Sequence, residues 1–204
     1  SRISLEQALK PQANFLAAIK RLQFWHFCAI YFCLVMGNYG ISLWLPSVIK
    51  NTGVADAETV GLLSAIPWAA ALIAMIFVGF SADRQREYRW HVATSAFLGA
   101  VGLATAASNF SGTVTALASL SLAAAGITSA LPVFWNLPAA TLSGVAAAGG
   151  IALINSVGNL AGFLSPYLVG WLGERTGSPA IGLAALAGFL AMGSLLTLLV
   201  RPHD

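Results

Sequence analysis

Between Arg89 and Glu174 the chain carries no Asp, Glu, Lys or Arg. An uncharged run of that length has room for three membrane spans of about 20 residues joined by tight turns. The rest of the chain agrees: 58% of residues are hydrophobic, only 8% are charged and the mean hydropathy is +0.80. That exceeds what a soluble core can hide, so the chain is expected in a bilayer. Inside lipid every backbone amide must be paired within its own segment or a closed barrel. Long unbroken apolar runs lack the alternation of barrel strands, so they are helices.

Six apolar segments can be laid out, at residues 24–49, 59–81, 91–108, 113–137, 145–171 and 179–200. Residues 1–23 read as a linker, 24–200 as a six-helix bundle and 201–204 as a tail. Ser4, Leu5, Glu6 and Gln7 have capping-box spacing, which predicts a short amphipathic surface helix ahead of the first span. The basic lead-in and the initial Ser suggest a segment of a longer polypeptide. Its polar, mixed charge does not resemble an export signal. Arg2, Lys10, Lys20, Arg21, Arg84, Arg86, Arg89 and Arg201 fall on one side of the layout, with Lys50 and Arg175 on the other. Both termini are therefore expected in the cytoplasm, the protein being multi-pass in the cell (inner) membrane.

The net charge of +3 does not indicate nucleic acid, because the basic residues are scattered over several loops. Cys28 and Cys33 lie in one predicted helix and point in different directions, so they read as small apolar residues without redox or metal chemistry.

The dense charge cluster of the apolar body is Gly79-Phe80-Ser81-Ala82-Asp83-Arg84, followed by Arg86 and Arg89. Glycine permits close helix approach, an aspartate beyond the membrane can face a positive helix N-terminus, and the arginines hold a turn inside. This G-x-x-x-D-R-x4-R pattern resembles the short cytoplasmic loop signature of the major facilitator superfamily, which assigns Gly79, Asp83, Arg84 and Arg89 a conformational role. Three further stretches resemble the C-terminal half of its anion:cation symporter family. They are Gly37-Asn38-Tyr39-Gly40 with Trp44-Leu45-Pro46; Phe134-Trp135-Asn136-Leu137-Pro138 through to Asn155-Ser156; and Gly158 to Phe163 with Pro166 and Gly170.

The resemblance implies six helices of a twelve-helix fold, arranged as 3+3 inverted repeats, and a missing N-terminal six-helix half as partner. It also implies import of a small organic anion, such as a hydroxy acid, sugar acid or aromatic carboxylate, with a proton as the coupling ion. No cofactor or metal is expected, and the arginine and acidic residues of the family's N-terminal half have no counterpart here.

Such transporters place substrate near mid-depth between repeats. Asn38, Asn155 and Asn159 land there, and amides can bind a carboxylate without trapping it by charge. Equally, each amide could hydrogen-bond a neighbouring helix. Tyr39, Trp68 and Trp135 are the aromatic candidates for the same site, while Trp44, Trp90 and Trp171 at span ends suit interfacial anchoring. Gly162, Pro166 and Gly170, spaced by four, could pack a helix closely or let it bend. His26 and His91 fall at span ends. A membrane-embedded hydrolase would need a Ser-His or Asp-Asp pair at depth; no predicted span contains a carboxylate at depth, so no enzymatic activity is expected.

Overall fold

The computed structural model describes residues 19–108, 112–142 and 145–200. The predicted amphipathic helix near Ser4 and the tail at 201–204 lie outside the described residues. Seven helices account for nearly all of the described chain: α1 Leu22–Lys50, α2 Ala57–Gln85, α3 Tyr88–Ser108, α4 Thr113–Phe134, α5 Asn136–Thr141, α6 Val145–Thr176 and α7 Ala180–Leu199. The short α5 continues α4 past Trp135, so six units are long and apolar enough to cross a membrane. No strand occurs among the described residues.

α1, α3, α4 and α7 form the packed centre. Here α3 runs along α4 and α7, while α7 and α4 both contact α1. The outer helices are α2, laid mainly on α4, and α6, laid mainly on α1. Exchanging α1 with α4, α2 with α6 and α3 with α7 reproduces most of this scheme. Successive spans alternate in direction, so α1 and α4 run oppositely and the scheme has the form of a 3+3 inverted repeat.

Small residues set the spacing of the centre. A Cβ added to Gly102 on α3 would come within 2.3 Å of the Ala123 amide nitrogen on α4, and one added to Gly126 within 2.4 Å of the Gly99 nitrogen. Backbones therefore touch, as is common where helices cannot rely on hydrophobic burial to associate. Buried hydroxyls add cross-links: Ser194 Oγ donates to the Ala93 carbonyl at 2.7 Å, and Ser165 Oγ to that of Met36 at 2.6 Å. Cys28 and Cys33 are buried and unbridged.

The charged turn differs from its sequence reading. α2 continues past Ser81 to Gln85, because nothing in Phe80-Ser81-Ala82-Asp83-Arg84 breaks a helix. Asp83 and Arg84 consequently stand exposed in its last turn. The helix stops where Arg86 turns left-handed (φ 52°), with the Glu87 amide bonded back to the Ala82 carbonyl at 3.3 Å. The carboxylate that meets the α3 N-terminus is that of Glu87, which accepts from the Trp90 amide at 3.4 Å. No described atom lies within 4 Å of a Cβ built on Gly79, so the close approach expected there does not occur within these residues. Arg89 ties the bundle together instead, its Nη1 donating to the Val200 carbonyl beyond α7 at 3.1 Å.

Candidate functional site

Along α1, Tyr31, Asn38 and Tyr39 fall on neighbouring strips of one side of the helix, since residues seven apart nearly eclipse and those eight apart are about 80° around. That side faces α6, whose Gly158, Gly162 and Gly170 leave room for bulky rings. A Cβ on Gly158 would lie 2.1 Å from Tyr31 Cδ1, one on Gly162 would lie 3.1 Å from Tyr39 Cε2, and one on Gly170 would lie 3.6 Å from Trp44 Cζ2. The glycines of α6 are thus seats for aromatic side chains of α1. Pro166 sits among them in a helix that continues from Val145 to Thr176.

Polar groups meet at the first of these seats. Tyr31 Oη donates to Asn155 Oδ1 at 3.1 Å across the two helices. One turn on, Asn159 Nδ2 donates to the same Oδ1 at 3.0 Å and to the Asn155 backbone carbonyl at 2.8 Å. The Tyr31 ring stacks on Phe134 at 5.3 Å with planes 20° apart, and lies 4.7 Å from Trp135. Trp135 occupies the junction of α4 and α5, where the backbone bond pattern of α4 ends. Counting 1.5 Å per residue from the helix midpoints, Tyr31 and Asn155 lie about 8 Å, and Asn159 about 2 Å, from mid-depth, toward the bundle end carrying Leu22 and Thr141.

Of the residues chosen from sequence, the structure gathers Asn155, Asn159 and Trp135 into one cluster. Asn38 is half-buried further along α1, its backbone carbonyl accepting from Ser42 Oγ at 2.7 Å, and has no hydrogen bond to the other two asparagines. Tyr39 is partly exposed over Gly162. Trp68 packs from α2 onto the hydrophobic core and stays outside the cluster. The sequence reading passed over Tyr31 and Phe134. Tyr31 was findable, because an aromatic with a polar tip recurs at the helical interval from Asn38 and Tyr39. Phe134, already quoted in the Phe-Trp-Asn-Leu-Pro stretch, offered no separate signal.

The cluster is open on the outer side of α1 and α6, where Asn155 and Asn159 are exposed. It contains no charged group, so it can offer amide and hydroxyl hydrogen bonds beside an aromatic wall. His91 stands elsewhere, at the α2–α3 turn, bonded to Ser81 Oγ at 3.0 Å and to the Glu87 carbonyl. His26 lines a cleft of about 630 Å³ near the start of α1 and the end of α7. Trp171, at the far end of α6, stacks under the Arg175 guanidinium at 4.4 Å, as an interfacial anchor does.

No family model matches the chain. Individual proteins do. The chain is 38% identical over 200 residues to a protein of Agrobacterium vitis named as a tartrate transporter, covering 97% of this chain and 46% of that protein. It is 31% identical over 202 residues to the inner membrane transport protein RhmT of Escherichia coli K12, covering 98% and 47% respectively. It is 32% identical over 144 residues to the MFS transporter prlL of Fungal sp. strain NRRL 50135, covering 68% and 29%. The chain spans about half the length of the first two of these relatives.

Proposed function

From the premise that this chain belongs to the major facilitator superfamily, we propose that it is the C-terminal six-span half of a secondary transporter for a small organic anion. It works by alternating access with proton symport, seated in the inner membrane with both termini cytoplasmic. The observation that carries the reading is the cluster of Tyr31, Asn155 and Asn159 beside Trp135: neutral hydrogen-bonding groups within about 8 Å of mid-depth, open to one side. The tartrate named for one relative is an anion such groups suit. Asn38 and Tyr39 extend the same surface along α1, while Trp68 packs from α2 onto the core.

The two outer helices frame that open side, and a second six-span bundle, in the same or a separate polypeptide, closes it. No Lys, Arg, Asp or Glu lies at mid-depth in any described span. The cation that offsets the substrate and the carboxyl that carries the proton therefore belong to the other half. Gly79, Asp83, Arg84 and Arg89 at the α2–α3 turn bias the two access states, and Gly162, Pro166 and Gly170 let α6 flex between them. Alone, the chain is a membrane bundle without transport or catalytic activity.

Proteoliposomes with an imposed pH gradient test this directly. The chain paired with an N-terminal half should accumulate labelled tartrate or another organic acid, and the chain alone should not. Asn155→Ala and Asn159→Ala should each lower initial uptake about tenfold at unchanged protein level, as expected for loss of a ligand hydrogen bond worth ~1.4 kcal/mol. Accumulation by the chain alone, or full activity in both variants, would overturn the reading.

A further inference from the structure

We propose that the cleft of about 630 Å³ between the start of α1 and the end of α7 binds the headgroup of an anionic phospholipid. The inference needs only the membrane setting of the bundle and stands apart from the transport reading.

Arg21, Leu22, Gln23 and His26 line the cleft from α1, and Leu199 and Val200 line it from the end of α7. Three of these side chains carry nitrogen donors, three are aliphatic, and no carboxylate lines the wall among the described residues. The first turn of α1 has no side-chain cap and no acidic residue, so the positive end of that helix is left uncompensated beside Arg21. From α3, Arg89 Nη1 reaches the Val200 carbonyl at 3.1 Å, which brings a second guanidinium to the cleft wall. Trp25 Nε1 donates to the Ile19 carbonyl at 3.0 Å and so holds the chain ahead of Arg21 against α1. A phosphodiester, with acceptor oxygens only and a single negative charge, suits such a wall.

Gln23 adds a group with an unmet need. Its side-chain nitrogen is buried and has no hydrogen-bond partner among the described residues. A half-turn about the last side-chain bond exchanges nitrogen and oxygen in space, and the terminal torsion of Gln is soft. That turn gives up no hydrogen bond of the nitrogen, and it presents the NH₂ to an anion in the cleft.

Helix lengths place the cleft at the right depth. The 29 residues of α1 span about 43 Å, whereas the 20 residues of α7 span about 30 Å, the thickness of a hydrocarbon core. The last turn of α7 therefore ends at the edge of the hydrocarbon, and the donors of the cleft stand at headgroup level. Leu22 and Leu199, 73% and 66% exposed, form an apolar flank beside those donors. A soluble phosphate would leave that flank bare; the acyl chains of a phospholipid cover it.

Native mass spectrometry of the full-length protein carrying this chain, titrated in detergent with phosphatidylglycerol or phosphatidylcholine, gives the test. The first phosphatidylglycerol should bind about tenfold more tightly than the first phosphatidylcholine. Arg21→Gln and Gln23→Leu should each weaken phosphatidylglycerol about fivefold and leave phosphatidylcholine unchanged. Arg175→Gln, the same charge change at the opposite end of the bundle, should alter neither. Phosphatidylglycerol should raise the melting temperature of the parent and leave that of Gln23→Leu almost unmoved. Without lipid, Gln23→Leu should melt no lower than the parent, because the substitution removes an unpaired buried amide. Equal affinity for the two lipids, parental affinity in both cleft variants, or an equal loss in Arg175→Gln overturns the inference. Displacement of the lipid by millimolar inorganic phosphate also overturns it, by assigning the cleft to a soluble anion. None of these readouts involves uptake, so the transport reading is tested separately.

Discussion

Glycine lines both the α3–α4 seam and the α1–α6 seam, yet the two seams are built on different contacts. Between α3 and α4 an added methyl group would strike backbone: Ala123 N for Gly102, and Gly99 N or the Ser95 carbonyl for Gly126. Between α1 and α6 it would strike a ring, that of Tyr31 for Gly158 and that of Tyr39 for Gly162. Backbone cannot retreat without separating the helices, whereas a side chain can rotate and carry its hydroxyl with it. The first seam therefore sets the spacing of the backbones, and the second sets the aim of the Tyr31 hydroxyl at Asn155. Burial separates the outer helix from the rest, since about half of the central apolar stretch is buried in α3 and α4 and 56% in α1, but only 22% in the outer span that contains α6.

The sharpest way to break this comparison is to enlarge one glycine in each seam. Gly126→Leu should prevent close approach of α3 and α4 and destabilise the bundle by about 3 kcal/mol or more. Little monodisperse protein should survive extraction in mild detergent. If Gly126→Leu extracts and melts like the parent, the backbone contact is not what holds the centre.

A smaller effect on stability and a larger one on function are expected at the other seam. Gly158→Ala should displace the Tyr31 ring, costing about 1 kcal/mol in stability while lowering uptake by roughly tenfold, because the hydroxyl no longer reaches Asn155. A thermal melt and an uptake assay on the same preparation separate the two quantities. Loss of stability and loss of transport in equal measure would erase the distinction between the seams.

The smallest effect lies outside both. Asp56 caps α2, accepting from the Thr59 amide at 2.7 Å and from its hydroxyl at 2.6 Å. The Thr59 hydroxyl and then the Thr59 amide hold its carboxyl below the ordinary carboxylate range. A depressed folded-state value means that the cap stabilises fully above the usual Asp pKa of about 4 and weakens as pH falls through the lower folded value. Melting temperature should thus decline slightly below about pH 4 in the parent, and Asp56→Ala should flatten that decline. An identical acid profile in the variant would assign the decline to some other group.

Much of this arrangement was legible in the sequence. The uncharged run after Arg89 required membrane helices, and the placement of Asn155 and Asn159 four residues apart put them on one helix face near mid-depth. Boundaries were less so. α2 outran its apolar stretch to Gln85 because the helix ends where backbone geometry changes, at Arg86, and not where hydropathy falls. Gly79 meets no other described element because it lies on an outer helix, where a glycine has a neighbour only if another element lies against it.

Composition and periodicity determined the class of fold by themselves, because in lipid an unpaired backbone amide is too costly for any other local structure. They also placed the amides by depth, since rise per residue is fixed in a helix. Which groups meet was decided only by tertiary structure. Tyr31 and Asn155 are separated by 124 positions, and nothing local to either indicates the other. Their contact depends on α6 lying along α1 with Gly158 in register beneath the ring. That register is set by how small and large side chains interlock along the whole seam, a condition that two helices satisfy jointly and that neither sequence segment specifies alone.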